Sequence, residues 1–111
     1  MFLATNRFKV LPNRTDAFEK MWENRNSDLP KLEGFVEFRL MRGPECDGYV
    51  LYLSHTFWEN EDNFKTWTQS KEFGASHAKK RAGQSEPMMM GGPQFEGFQH
   101  CSGVKQDGSK F

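Results

Sequence analysis

Most of the features that announce a catalytic or targeting class are missing from this sequence. It has only two cysteines, Cys46 and Cys101. They lie far apart and outside any C-x-x-C or zinc-ligand spacing, so they read as reduced thiols in a cytosolic protein rather than as a disulfide or metal site. No apolar run approaches the ~20 residues of a membrane span. The chain passes from Met1 straight into a charged strand, with no visible signal peptide. An excess of one charge is missing too: 15 Lys and Arg balance 15 Asp and Glu, and the cations form no block. That removes the electrostatic reason to expect nucleic acid or an anionic membrane as partner. There is no nucleophile elbow, glycine-rich phosphate loop, H-E-x-x-H or readable pair of carboxylates. Gly91-Gly92 is a loop pair before a proline, and the Met88–Met90 run suits flexible apolar packing better than a copper site.

What is present is aromatic. Eleven Phe in 111 residues supply large buried area from few side chains, enough for one domain over 1–101, followed by a polar tail at 102–111 expected to be flexible. "FLATNRFKV" alternates as a strand. "LPNRTDAF" is a turn leading into a helix over about 14–27, with Phe18, Met21, Trp22 and Arg25 on one face. "FVEFRLMRG" is a second strand, with Val36, Phe38 and Leu40 sharing a face, and "GPECDG" is a hairpin turn. "YVLYLSHTFW" is the third strand. Asn60 caps a second helix whose first turn carries Glu61 and Asp62 and whose apolar face carries Phe64 and Trp67. That helix is interrupted near Gly74 and then resumes, with Phe73 and His77 one turn apart. "QFEGFQHC" is a final short strand. The order β-α-β-β-α-β predicts a ferredoxin-like α+β fold with helices on one face of an antiparallel sheet. The third strand is apolar on both sides, with Tyr49, Leu51 and Leu53 opposite Val50 and Tyr52. Helices cover one side, so a second copy is expected on the other, giving a homodimer with two sheets packed as a barrel.

Asn6 breaks the first strand's pattern. It falls on the face of Phe2, Ala4, Phe8 and Val10, where a buried carboxamide without partners costs on the order of 1–3 kcal/mol. His77 is a possible metal ligand that shares a helical face with Phe73 and follows the Gly74 break. Trp67 lies ten residues before it: on an unbroken helix that is ~15 Å of rise, but with the break the two can converge on a large flat ligand. Read alone, Trp22, Trp58 and Trp67 are core residues, and His55 and His100 are surface or satisfied histidines. The residues by themselves describe an apolar pocket between sheet and helices and name no substrate.

From "FLATNRFKV" through "LEGFVEFRLMRGPE" and "LSHTFWENEDNFKTWTQSKEFGASH" to "PQFEGF", the chain resembles the IsdG-type heme-degrading monooxygenases of the antibiotic biosynthesis monooxygenase-like superfamily. That resemblance implies a dimeric α+β barrel in which each subunit binds heme as both substrate and prosthetic group. It places the family's catalytic trio at Asn6, Trp67 and His77. His77 would be the axial iron ligand, and the Phe73 carbonyl one turn back is the expected acceptor for its other ring nitrogen. Trp67 would press on the porphyrin face and distort it, and Trp22 would line the pocket. Asn6 would donate its amide N–H to the distal ligand on iron or to the nearby pyrrole region, which answers the misfit in the first strand. The chemistry implied takes O2 and an external electron donor, a reductase or ascorbate, and yields an open-chain tetrapyrrole with release of iron. The alternatives are a cofactor-free quinol or polyphenol oxygenase of the same superfamily, a non-catalytic heme carrier, and a dimeric binding module.

Overall fold

The computed structural model describes residues 1–25, 29–69 and 88–111. The described residues include four strands: β1 (Phe2–Val10), β2 (Phe35–Cys46), β3 (Tyr49–Trp58) and β4 (Gln94–Gln99). Helix α1 (Thr15–Arg25) lies between β1 and β2, and α2 (Glu61–Thr68) follows β3. The sheet is antiparallel in the order β2-β3-β1-β4, so the expected ferredoxin-like β-α-β-β-α-β arrangement is what forms. The resumed helix, with Phe73, Gly74 and His77, lies outside the described residues.

β1 is central because its period of two serves the helices on one side. Phe2, Ala4, Phe8 and Val10 are all buried, and they divide between two aromatic clusters. In the first, Phe8 packs edge-on against Phe18 (5.3 Å) and Trp22 (5.7 Å) of α1, and Phe18 meets Tyr52 at 5.0 Å. In the second, Phe2 and Ala4 join Trp58, with Phe64 and Trp67 of α2 packed against them. Phe18 and Trp58 are completely buried and Tyr52 nearly so, each side chain contributing ~1.5–3 kcal/mol or more of transfer free energy. Asn60 caps α2 as expected, its Oδ1 accepting from the Asn63 N–H at 2.9 Å.

Several details depart from the sequence reading. A register shift between Phe35 and Glu37 is a bulge that turns Phe35 toward Trp58 (5.9 Å), while Val36 is left exposed. Val36 therefore does not share the face of Phe38 and Leu40. β2 continues through "GPEC" to Cys46, and the turn is only Asp47-Gly48, both at positive φ (51° and 83°), as a type I′ hairpin requires. A second bulge between Arg42 and Glu45 accommodates Pro44, which has no N–H to pair. Met88 fills the first cluster, and the Met88 carbonyl accepts from the Leu11 N–H at 2.8 Å. Cys46 and Cys101 are free and exposed. Residues 102–111 close into a small hairpin, with paired bonds between Gly103 and Phe111 (2.8 and 3.0 Å) and the Phe111 ring stacked on His100 at 5.0 Å.

α2 docks where β2 begins. Gly34 sits at φ 79°, its carbonyl accepts from the Glu59 N–H at 2.7 Å, and a Cβ there would lie 2.2 Å from Asn63 Cγ. Gly34→Ala should therefore lose about 1–2 kcal/mol from the left-handed backbone alone, plus the cost of displacing Asn63. Urea unfolding of the two proteins measures it, and equal midpoints would reject this account.

Candidate functional site

Asn6 lies on β1 between Ala4 of one cluster and Phe8 of the other. Its cross-strand neighbours are Ser54 on β3 and Phe95 on β4, and Leu40 stands opposite Ser54 on β2. The row Leu40–Ser54–Asn6–Phe95 thus crosses the helix-facing side of the sheet at the seam between the aromatic clusters. Ser54 is 4 % exposed, whereas Asn6 is only half-buried. Among the described residues no hydrogen bond is made by the Asn6 carboxamide. A central-strand polar group on the core side, half-open and without a hydrogen bond among the described residues, has donor and acceptor capacity left for a ligand.

The other candidates flank this seam. Trp67 is half-buried, 5.6 Å from Trp58 and 6.3 Å from Phe64. Trp22 is 9 % exposed and stacks on Phe38 at 5.4 Å, so the larger part of its ring belongs to the packed core. The structure thus brings Asn6, Trp22 and Trp67 to one side of the sheet, with Asn6 between the tryptophans' clusters. His77 and Phe73 lie outside the described residues. Phe95 was missed at the sequence level. Its ring stacks on Phe64 (5.5 Å, 8°) yet is 51 % exposed, which makes it an aromatic wall beside Asn6. Local alternation in "QFEGFQ" gives its facing, but only the β1–β4 register reveals which residue it abuts.

Below the first cluster, the Tyr52 hydroxyl donates to Glu19 Oε2 at 2.5 Å, and Arg42 Nη1 approaches the same oxygen at 3.4 Å. Burial pushes the Tyr52 phenol up to about 12, helped by the hydrogen bond to Glu19 and that carboxylate's charge. This group anchors α1 on the sheet. Among the described residues no three His, Cys, Asp or Glu side chains are gathered to hold a metal ion, and no helix is long and apolar enough to cross a membrane.

The family model described as antibiotic biosynthesis monooxygenase matches residues 1–79. A heme oxygenase (staphylobilin-producing) of Staphylococcus saprophyticus is 28 % identical over 87 residues, covering 78 % of this chain and 82 % of the relative. Two solved structures share the fold. SnoaB, a cofactor-independent oxygenase from Streptomyces nogalater, has a TM-score of 0.67 at 20 % identity, covering 89 % of this chain and 91 % of its own. MhuD, a heme-degrader from Mycobacterium tuberculosis with two hemes in its active site, has a TM-score of 0.66 at 20 % identity, covering 90 % and 95 %.

Because Asn6 makes no described protein hydrogen bond, removing its polarity should not weaken the fold. Asn6→Leu is expected to match or exceed the parent in stability, within about 1 kcal/mol either way. A loss above ~2 kcal/mol in urea unfolding would give Asn6 a structural role instead.

Proposed function

The chain belongs to the antibiotic biosynthesis monooxygenase family, and within it we propose a heme-degrading enzyme. The carrying observation is the open Asn6 carboxamide, set on the core side of the sheet between aromatic walls that include Trp67, Phe64 and Phe95. An open polar group framed by aromatic rings suits a flat, mostly apolar ligand such as heme. The similarity to the staphylococcal heme oxygenase supports the same reading.

Heme, when bound, supplies the iron that activates dioxygen and the ring that is oxidised. The chain's own residues bind and orient. On the sequence resemblance, His77 would hold the iron through a neutral imidazole, and the Phe73 carbonyl would be the acceptor that fixes its tautomer. Asn6 offers its amide N–H to the oxygen substrate in a site that the aromatic residues keep poor in water, where one donor is worth most. Trp67 would press on the macrocycle, and Trp22 would line the pocket on the α1 side. Electrons come from an external donor, a reductase or ascorbate. The products are an open-chain tetrapyrrole and iron.

Hemin added to the heme-free protein should give a saturable Soret band at one equivalent per subunit. Ascorbate in air should then bleach it and release chelatable iron. No saturable band would overturn the proposal in favour of a cofactor-free oxygenase, and a band that persists would make the protein a carrier. His77→Ala should lose the axial-ligand signature of the ferric spectrum. Asn6→Ala should bind heme but degrade it more slowly, by on the order of 100-fold.

The sheet's outer face supports the homodimer. Leu3, Leu51, Leu53 and Phe57 are only half-buried there, Met41 and Phe98 are 50 % and 47 % exposed, and the buried His55 Nδ1 has no hydrogen-bond partner among the described residues. Two such faces packed together would form the barrel and give His55 a partner from the second copy. Sedimentation should show a dimer that Leu53→Glu dissociates. A monomeric parent would reject this assembly.

A further inference from the structure

Asn6 has a polar companion on the helix-covered side of the sheet. Val50, Tyr52, Ser54, Thr56 and Trp58 of β3 share that side, and Ser54, at 4 % exposure, is set as deeply as the apolar residues along its strand. The β1–β3 register puts it directly opposite Asn6. An alanine or valine at position 54 would fill the strand with no hydroxyl to strip of water, so Ser54 needs the same kind of explanation as the carboxamide beside it. Two polar misfits in one row, on adjacent strands, are explained together by one guest that both of them bind.

The Ser54 hydroxyl makes no hydrogen bond among the described residues. Tyr52, two residues back, gives its own hydroxyl to Glu19. Thr56, two residues on, is ~6.5 Å away along the strand, beyond direct reach. Leu40, on the other flank, is apolar. That leaves Asn6 as the polar neighbour, and no described bond joins the two side chains. The Ser54 oxygen is nonetheless not sealed off, because the little surface that the residue keeps reaches that atom. Residues directly opposite in an antiparallel pair have Cβ atoms ~4.5–5.5 Å apart. An oxygen atom held between two donors stands ~2.8 Å from each, so one such atom fits between this hydroxyl and this carboxamide.

We propose that Ser54 is a second hydrogen-bonding residue of the cleft, its Oγ–H and the Asn6 amide N–H donating to one shared oxygen atom. In the ligand-free protein that atom belongs to a water. In the loaded enzyme it belongs to the oxygen substrate, which two donors fix in direction where one would leave it free to swing. The half-buried carboxamide has room to turn, whereas the buried hydroxyl on a central strand does not, so Ser54 sets the point at which the oxygen is held. The second role rests on the heme reading; the pairing of Ser54 with Asn6 on a water does not.

Crystals of the full-length, heme-free protein should show a water within hydrogen-bond distance of both Ser54 Oγ and the Asn6 side chain, and Ser54→Ala should lose it without moving the strand. No shared water in the parent, or the same water kept in Ser54→Ala, would overturn the proposal. The hemin-loaded protein, reduced under carbon monoxide, gives a readout independent of turnover. A donor to the oxygen of bound carbon monoxide draws electron density into the C–O antibond and lowers its infrared stretch. Ser54→Ala should therefore raise that frequency, Ser54→Thr should return it to the parent value, and Ser54→Ala added to Asn6→Ala should raise it further. An unchanged stretch in Ser54→Ala, or a shift that disappears once Asn6 is removed, would overturn Ser54 as a donor to the ligand. Hemin that fails to bind removes the heme reading, while the water in heme-free crystals still decides the pair.

Discussion

β1 is hydrogen-bonded on both edges, and its residues alternate strictly between a helix-covered face and an open one. A slip of one residue would send Phe2, Ala4, Phe8 and Val10 to the wrong side and bring Arg7 and Lys9 into the core, so register here is fixed by the hydrophobic pattern. The rest follows from that constraint. α1 and α2 each bring an aromatic pair to one half of the same strand, and the halves are separated by a single row. Asn6 stands in that row.

That placement explains why a polar residue persists on the apolar side of a central strand. Stability alone favours an aliphatic residue there, since the carboxamide makes no described hydrogen bond with protein. A position that gives up stability in this way is the pattern expected of a binding group. The same strand presents opposite chemistry on its two faces: an amide framed by aromatic rings toward the helices, and two cations toward the outside.

Much of this architecture could be read in the chain because its signals are local. The alternation of β1, the Asn60 cap and the Asp47-Gly48 turn each depend on a few neighbouring residues. The misfit of Asn6 was visible for the same reason. What escaped depends on pairing between distant segments. The bulge at Val36 arises from fitting β2 to β3, and neither strand's alternation contains it. "GPEC" reads as a turn because Pro and Gly usually punctuate chains, yet a bulged outer strand accepts both. Phe95 as a neighbour of Asn6 exists only once β4 is placed beside β1. Residues 102–111 are polar enough to look structureless, but Gly103, Gly108 and a terminal Phe that stacks on His100 are sufficient to fold them back.

The two bulges and Pro44 of β2 carry a consequence for what can pair with the margin of the sheet. An outer strand exposes a row of unpaired amides and carbonyls that any extended peptide can adopt as a template. Here that row is kinked twice and interrupted by an imino acid, and the opposite margin, β4, is six residues long with a glycine inside it. Open-ended, fibril-like stacking through strand margins is thereby discouraged.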